Sequence, residues 1–236
     1  MLFRSTRVTG VERTAEGLVA TAVGPKGEMK LETDRLLVAA GYVPYTEGLH
    51  LEAAGLELTD KGFIPVNDRL ESRTPGVYAI GDVVGPPMLA HSAHERGLIA
   101  AEAAAGLTPP RFVAANIPRA VYCGPQVASV GLTEREAREQ GYEVKVGRFP
   151  YRVNGRALAL AETTGFTKVV VDAKLDQVLG IHIVGADASE LLGEATLAVV
   201  LEEQAETIGA ITHAHPTLAE TIKEAALAAE GRAIHI

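Results

Sequence analysis

Thr74-Pro75-Gly76-Val77-Tyr78-Ala79-Ile80-Gly81-Asp82, followed by Pro87-Met88-Leu89-Ala90-His91, is the stretch on which the fold turns. Its first half is a short β-rich run that ends in Gly-Asp. Its second half leads into Ala100-Ala101-Glu102-Ala103-Ala104-Ala105, read as a helix from about His91 to Ala105, with Gly106 as its stop and Pro109-Pro110 beyond. An acid after a strand-terminal Gly can accept hydrogen bonds from polyol or ribose hydroxyls without a side chain blocking the approach. The helix that follows directs free N–H groups and its positive end at a developing anion. For Gly-Asp by itself, an ordinary loop aspartate is the plain alternative.

Upstream, residues 1–40 alternate apolar and polar positions, as in Gly17-Leu18-Val19-Ala20-Thr21-Ala22-Val23, and break at the turn signal Gly24-Pro25-Lys26-Gly27, which predicts short antiparallel strands. Leu36-Leu37-Val38-Ala39-Ala40-Gly41 is continuously apolar and predicts a buried strand ending where backbone approaches something closely. Gly62-Phe63-Ile64-Pro65-Val66 and Gly76–Ile80 read as further strand pieces. A boundary falls near residue 112. Beyond it, Arg119–Tyr122 and Gln126–Gly131 read as strands, and Thr133-Glu134-Arg135-Glu136 is a capping box whose helix closes at Gly141. Thr167–Val171 and Val178–Val184 form a hairpin around Ala173–Gln177, and helices follow over about 189–203 and 216–230.

Composition narrows the chemistry. The chain has 236 residues, 47% of them hydrophobic, which suffices for a real core. A formal charge of -8 argues against nucleic acid and anionic membrane surfaces as partners. No run approaches the roughly eighteen apolar residues of a membrane span, and the N-terminus has no signal-like apolar region. Cys123 is the only cysteine, so one chain can form neither a disulfide nor a cysteine zinc site; with that composition a cytoplasmic setting is expected.

The sharpest local signal is His213-Ala214-His215-Pro216-Thr217-Leu218-Ala219-Glu220. Pro216 suits the first helical position, leaving His215 at the helix entrance with its ring free to point away. Glu220, in the opening turns, is near enough to accept a hydrogen bond from one ring nitrogen, fixing the tautomer and making the other nitrogen more basic. The residues alone leave a second reading open, in which His215 caps the helix and Glu220 is a solvated acid favoured by the dipole. A metal site is not expected, because His213 and His215 cannot close a tetrahedron and no third ligand is apparent.

Taken together these motifs resemble a known family. Thr74–Asp82 with Met88-Leu89-Ala90-His91 looks like the second FAD-binding motif of the pyridine nucleotide-disulfide oxidoreductases, and His213–Glu220 is similar to the catalytic motif of their dihydrolipoamide dehydrogenase branch. Leu37–Pro44 resembles the end of that family's NAD domain, and Val127–Glu134 the opening of its dimerisation domain. The resemblance implies an α/β remnant of the NAD- and FAD-binding domains (1–45 and 46–112), then an α+β dimerisation domain (113–236) whose mixed sheet is covered by helices. It implies that electrons pass from dihydrolipoyl thiols through a disulfide and FAD to NAD, with His215 as acid–base residue and Glu220 as its orienter. Asp82 would meet the flavin ribityl hydroxyls, the backbone of Met88, Leu89 and Ala90, with His91 following, would lie by the pyrimidine edge, and Gly41 would sit on the NAD side. It further implies a homodimer, with a 2-oxoacid dehydrogenase complex as partner.

Departures from the family pattern matter as much. The chain contains neither the redox cysteine pair nor a GxGxxG fingerprint, so its FAD and NAD sites are partial and the chain by itself is expected to be inactive. Cys123, in Tyr122-Cys123-Gly124-Pro125-Gln126, matches a structural segment and is expected to be buried or merely tolerated. Gly41-Tyr42-Val43-Pro44 lacks the arginine usual after this Gly, and Gln126 stands where the family usually has Glu. Other readings are a non-catalytic homodimerisation module or a relative of glutathione or mercuric reductase; Ala214 before His215 and the lack of a C-terminal cysteine pair favour the lipoamide branch over those relatives. Since residues 1–112 would lack elements they normally pack on, limited proteolysis should cut them before residues 113–236, and equal resistance would sink that expectation.

Overall fold

The computed structural model describes residues 2–235. The chain forms two compact units, Met1–Val43 and Pro44–Ile236, and the sequence-read boundary near 112 falls inside the second.

In the first unit the alternating run forms an antiparallel meander of β1 (Arg7–Arg13), β2 (Leu18–Gly24) and β3 (Gly27–Thr33). Gly24 pairs with Gly27 to close the β2–β3 hairpin, and the φ of +99° at Gly27 is a conformation that only glycine adopts cheaply. Ala20 and Ala22 of β2 are buried, whereas β1 is exposed along its length. The strand predicted over Leu36–Gly41 does not form. These residues run as irregular exposed chain, with Leu37 88% and Val38 79% accessible. A strand with apolar side chains on both faces needs cover on both, and no described strand pairs with this one.

The second unit opens with little regular structure. The strands predicted at Gly62–Val66 and Gly76–Ile80 are isolated backbone exchanges instead. Ser72 N–H donates to Val77 O at 2.8 Å, Ala79 N–H to Leu70 O at 3.1 Å and Ile64 N–H to Val83 O at 2.8 Å. Local side-chain acceptors compete with a ladder: Thr59 Oγ1 accepts Phe63 N–H at 3.1 Å and Glu71 Oε1 accepts Gly76 N–H at 2.8 Å, while Asn67 Oδ1 accepts from the N–H groups of Arg69 (2.9 Å) and Glu71 (3.1 Å) and folds the chain between them into a turn. Helix α1 (Ala90–Ala104) forms where predicted and ends at Gly106, with Leu107 N–H reaching back to Glu102 O at 2.9 Å. Its Ile99 and Ala100 pack with Leu70, Val66, Tyr78 and Phe112 in a small core.

The main core belongs to a five-stranded sheet, in the order β4 (Arg119–Val121), β5 (Gln126–Gly131), β8 (Val178–Gly185), β7 (Phe166–Asp172), β6 (Val144–Pro150). The α+β class holds, but the sheet is antiparallel in every pairing rather than mixed. The pairs β4–β5, β6–β7 and β7–β8 are consecutive in the chain and meet by reversal, and β5 and β8 pair antiparallel across a longer connection. On one face Val169, Val171, Ile181 and Ile183 pack against α4 (Leu192–Val200), α5 (Ala205–Ala210) and α6 (Glu220–Ala229). On the other, Val170 and Leu179 meet Ala137 of α2 (Glu134–Glu139), whose capping box at Thr133 forms as predicted. Strand β6, helix α5 and the short α3 (Gly155–Leu160) form without a sequence signal that predicts them. Helices α4 and α6 start three and four residues later than the sequence predicts, because the residues before them are spent in turns.

Helix α6 lies directly on strand β6. A Cβ added at Gly147 would stand 1.8 Å from Ala225 O and 2.5 Å from Ala229 N, backbone atoms that cannot move aside alone. Gly147→Ala should therefore cost about 1–3 kcal/mol, seen as a lower midpoint in chemical denaturation; an unchanged midpoint would contradict this packing.

Candidate active site

The histidine motif is held as a turn, not as the first turn of a helix. The His215–Pro216 peptide is cis and α6 begins only at Glu220, so Pro216 does not occupy the first helical position as predicted. The reason lies in three hydrogen bonds, two local and one from a distant residue. Glu220 Oε2 accepts Thr217 N–H at 2.8 Å, Thr217 Oγ1 donates to Ala214 O at 2.8 Å, and the buried Asn154 donates through Nδ2 to Thr217 O at 3.0 Å. Asn154 also caps α3, its Oδ1 accepting Ala157 N–H at 2.9 Å.

This turn brings His215 and Glu220 together. His215 Nδ1 lies 2.9 Å from Glu220 Oε1, which assigns the ring proton to Nδ1, while Nε2 has no partner among the described residues. The His215 side chain is 73% exposed and that of Glu220 only 19%. Burial opposes ionisation of Glu220, but the Thr217 N–H and the His215 ring outweigh it and hold the carboxyl below its ordinary 4.5. A basic nitrogen facing outward on a ring locked from behind can take and return a proton.

His213 plays a different part. Its side chain is 7% exposed and contacts Glu194 Oε1 of α4 through Nε2 at 2.8 Å, bracing the loop that carries His215. Among the described residues no group of three or more His, Cys, Asp or Glu is placed to hold a metal.

The second cluster surrounds the start of α1. Asp82 sits on the exposed side of the 3₁₀ turn Gly81–Val84; its carbonyl accepts Gly85 N–H at 3.2 Å, and its carboxylate has no hydrogen bond or ion pair to any described residue. Met88 and Leu89 are half-buried and Ala90 and His91 exposed, and no side chain caps the helix start. The His91 ring is already engaged, with Nε2 2.7 Å from Pro118 O. Ser92 Oγ is buried without a partner among the described residues. Gly41 belongs to the other unit; its φ is +119° and nothing stands within 4 Å of where a side chain would begin. Cys123 is exposed, not buried, and its Sγ lies 3.0 Å from Pro125 O.

Sequence reading missed the residue that builds this second cluster. Arg96 is 4% exposed, and its guanidinium donates to Gly81 O (3.2 Å), Gly85 O (2.8 Å) and Pro86 O (2.7 Å) while lying 4.5 Å over the ring of Phe112. Burial lowers its proton affinity and the Asp82 charge restores part of it. An arginine on the inward stripe of a helix, aligned with Ile99, Ala100 and Ala103, was the available signal.

Two family models match the chain: pyridine nucleotide-disulphide oxidoreductase over residues 3–97, and the dimerisation domain of the pyridine nucleotide-disulphide oxidoreductases over residues 117–226. The chain belongs to the pyridine nucleotide-disulphide oxidoreductase family. Among its relatives, the dihydrolipoyl dehydrogenase of Thermus scotoductus is 48% identical over 233 residues, 98% of this chain and 50% of that protein. That of Cupriavidus necator is 44% identical over 207 residues, 87% of this chain and 43% of that protein. The chain spans about half the length of the curated relatives it matches. Among solved structures, LpdA from Mycobacterium tuberculosis matches with a TM-score of 0.85 at 28% identity, covering 94% of this chain and 48% of its own. The HOCl-induced flavoprotein disulfide reductase RclA from Escherichia coli shares the fold, with a TM-score of 0.81 at 24% identity over 93% of this chain and 50% of its own.

The Glu220 geometry has a pH signature. Because its folded-state value lies below 4.5, ionised Glu220 contributes stability that is fully present above pH 4.5 and lost as pH falls through the lower folded value. The stability gap between the wild type and Glu220→Gln should thus close on acidification; a gap constant from neutral pH to pH 3 would contradict it.

Proposed function

We propose that this chain is the C-terminal portion of a dihydrolipoyl dehydrogenase, carrying the acid–base pair, part of the FAD contact and the dimerisation surface. The observation behind this is the exposed His215 ring, keyed by Glu220 at Nδ1 and unpaired at Nε2. In this reading Nε2 accepts the proton of a dihydrolipoyl thiol, leaving a thiolate able to attack a disulfide, and Glu220 stabilises the resulting imidazolium through Nδ1–H. A bare dimerisation module has no use for that arrangement.

The residues around α1 fit a flavin. Asp82 offers an unengaged carboxylate to ribityl hydroxyls, and the uncapped helix start offers N–H groups to the pyrimidine edge. The orphaned Ser92 hydroxyl lies buried in that first turn. When bound, FAD supplies the two-electron acceptor and NAD the final one. Gly41 fits the NAD side only as a point where backbone can be approached. Arg96 would preserve the Gly81–Pro86 loop whether or not a cofactor is present. A homodimer, a 2-oxoacid dehydrogenase complex and a cytoplasmic setting complete the reading.

The chain alone, without a redox cysteine pair, should give no NADH from dihydrolipoamide and NAD even with added FAD. Co-expression with the part of the Thermus scotoductus relative that it does not cover should restore turnover. In that hybrid His215→Gln should lower kcat by about 10²–10⁴-fold. Stoichiometric flavin and turnover in the chain alone, or a hybrid indifferent to His215→Gln, would overturn the reading.

A further inference from the structure

The small cavity beneath His215 holds a second pair built on the same plan. Glu224 and His235 join His215, Glu220, Asn154 and Phe149 around a space of about 40 Å³. Glu224 lies one helical turn beyond Glu220 on α6, on the same face. It is only 3% exposed and its carboxylate is saturated: Oε1 accepts from His235 Nδ1 at 2.7 Å, and Oε2 from the N–H groups of Ile234 (2.9 Å) and His235 (3.3 Å). The chain returns to this point by reversing after α6. Gly231, with φ +69°, lets Arg232 N–H reach Leu227 O at 2.8 Å and turns the following residues back toward Glu224.

Two carboxylates one turn apart repel each other, and a buried carboxylate deprived of donors carries a heavy desolvation penalty until it finds another. In this cavity the other ring available is that of His215. With Glu224 saturated by residues 234–235, His215 faces one acceptor, Glu220, and has one orientation.

We propose that His235, acting through Glu224, is a positioning residue for the His215–Glu220 pair: it occupies the second carboxylate of the cavity so that His215 is held by Glu220 alone. The functional weight of this rests on the acid–base reading of His215. The geometry can be tested without turnover.

Long-range ¹H–¹⁵N spectra of the neutral imidazoles in the 236-residue chain report which ring nitrogen carries the proton. The wild type should show His215 as a single Nδ1–H tautomer. His235→Ala should lose that single signature in favour of mixed tautomers, and His235→Asn, whose amide nitrogen can replace Nδ1 as donor to Glu224, should restore it. The backbone amide spectrum of the sheet reports in parallel that the variants are folded. A folded His235→Ala protein with the wild-type His215 signature, whatever its melting temperature, would reduce His235 to a structural strap and overturn the proposal. A wild type without the Nδ1–H tautomer would instead defeat the His215–Glu220 reading itself, and this inference with it.

Discussion

One carboxylate carries the site. Glu220 is the first residue of α6, where the helix dipole favours its negative charge, and its two oxygens do separate work: one ends the turn by taking Thr217 N–H, the other takes the His215 ring. The next residue, Thr221, is buried and shares a hydroxyl contact of 2.8 Å with Thr167 of β7. The helix start, the turn and the imidazole are therefore registered against the sheet through two consecutive side chains. A loosely held histidine would leave the ring's tautomer and aim to chance, and this arrangement fixes both.

The support beneath is correspondingly unforgiving. Glycine at position 147 lets α6 touch strand backbone, and Ile222, Ala225 and Ala226 fill the space with no accessible surface left. Small side chains along the helix bring it close enough for its first turn to command the cavity edge. The region around α1 uses a different device. There a buried arginine organises a loop by binding three carbonyl oxygens, so the irregular chain from Gly81 to Pro86 has its acceptors satisfied without belonging to any sheet. Asp82 is thereby presented on a fixed turn with its carboxylate unspent.

What could be read from sequence follows from how local each signal is. The Thr133 capping box, the Gly24–Gly27 turn and the Gly106 stop all act within a few residues, and all form. The pairing of His215 with Glu220 was legible for the same reason, being a contact five residues apart. Leu36–Gly41 misled because an apolar run says only that cover is wanted, not that it is present. Gly62–Val66 and Gly76–Ile80 misled because nearby side chains take backbone N–H groups at their starts, Thr59 Oγ1 that of Phe63 and Glu71 Oε1 that of Gly76. Pro216 misled because a proline suits a turn as readily as a first helical position, and the carboxylate that decides between them lies four residues on. Arg96 and Asn154 act on residues 10–15 and 63 positions away, a distance that no local pattern spans.

The reversal at Gly231 also bears on how this protein can be handled. Since residues 234 and 235 dock against Glu224 at the edge of the cavity, any polypeptide joined after them would leave the molecule beside the imidazole. An affinity tag, a fluorescent fusion or a surface tether at that end would crowd the very ring it was meant to report on.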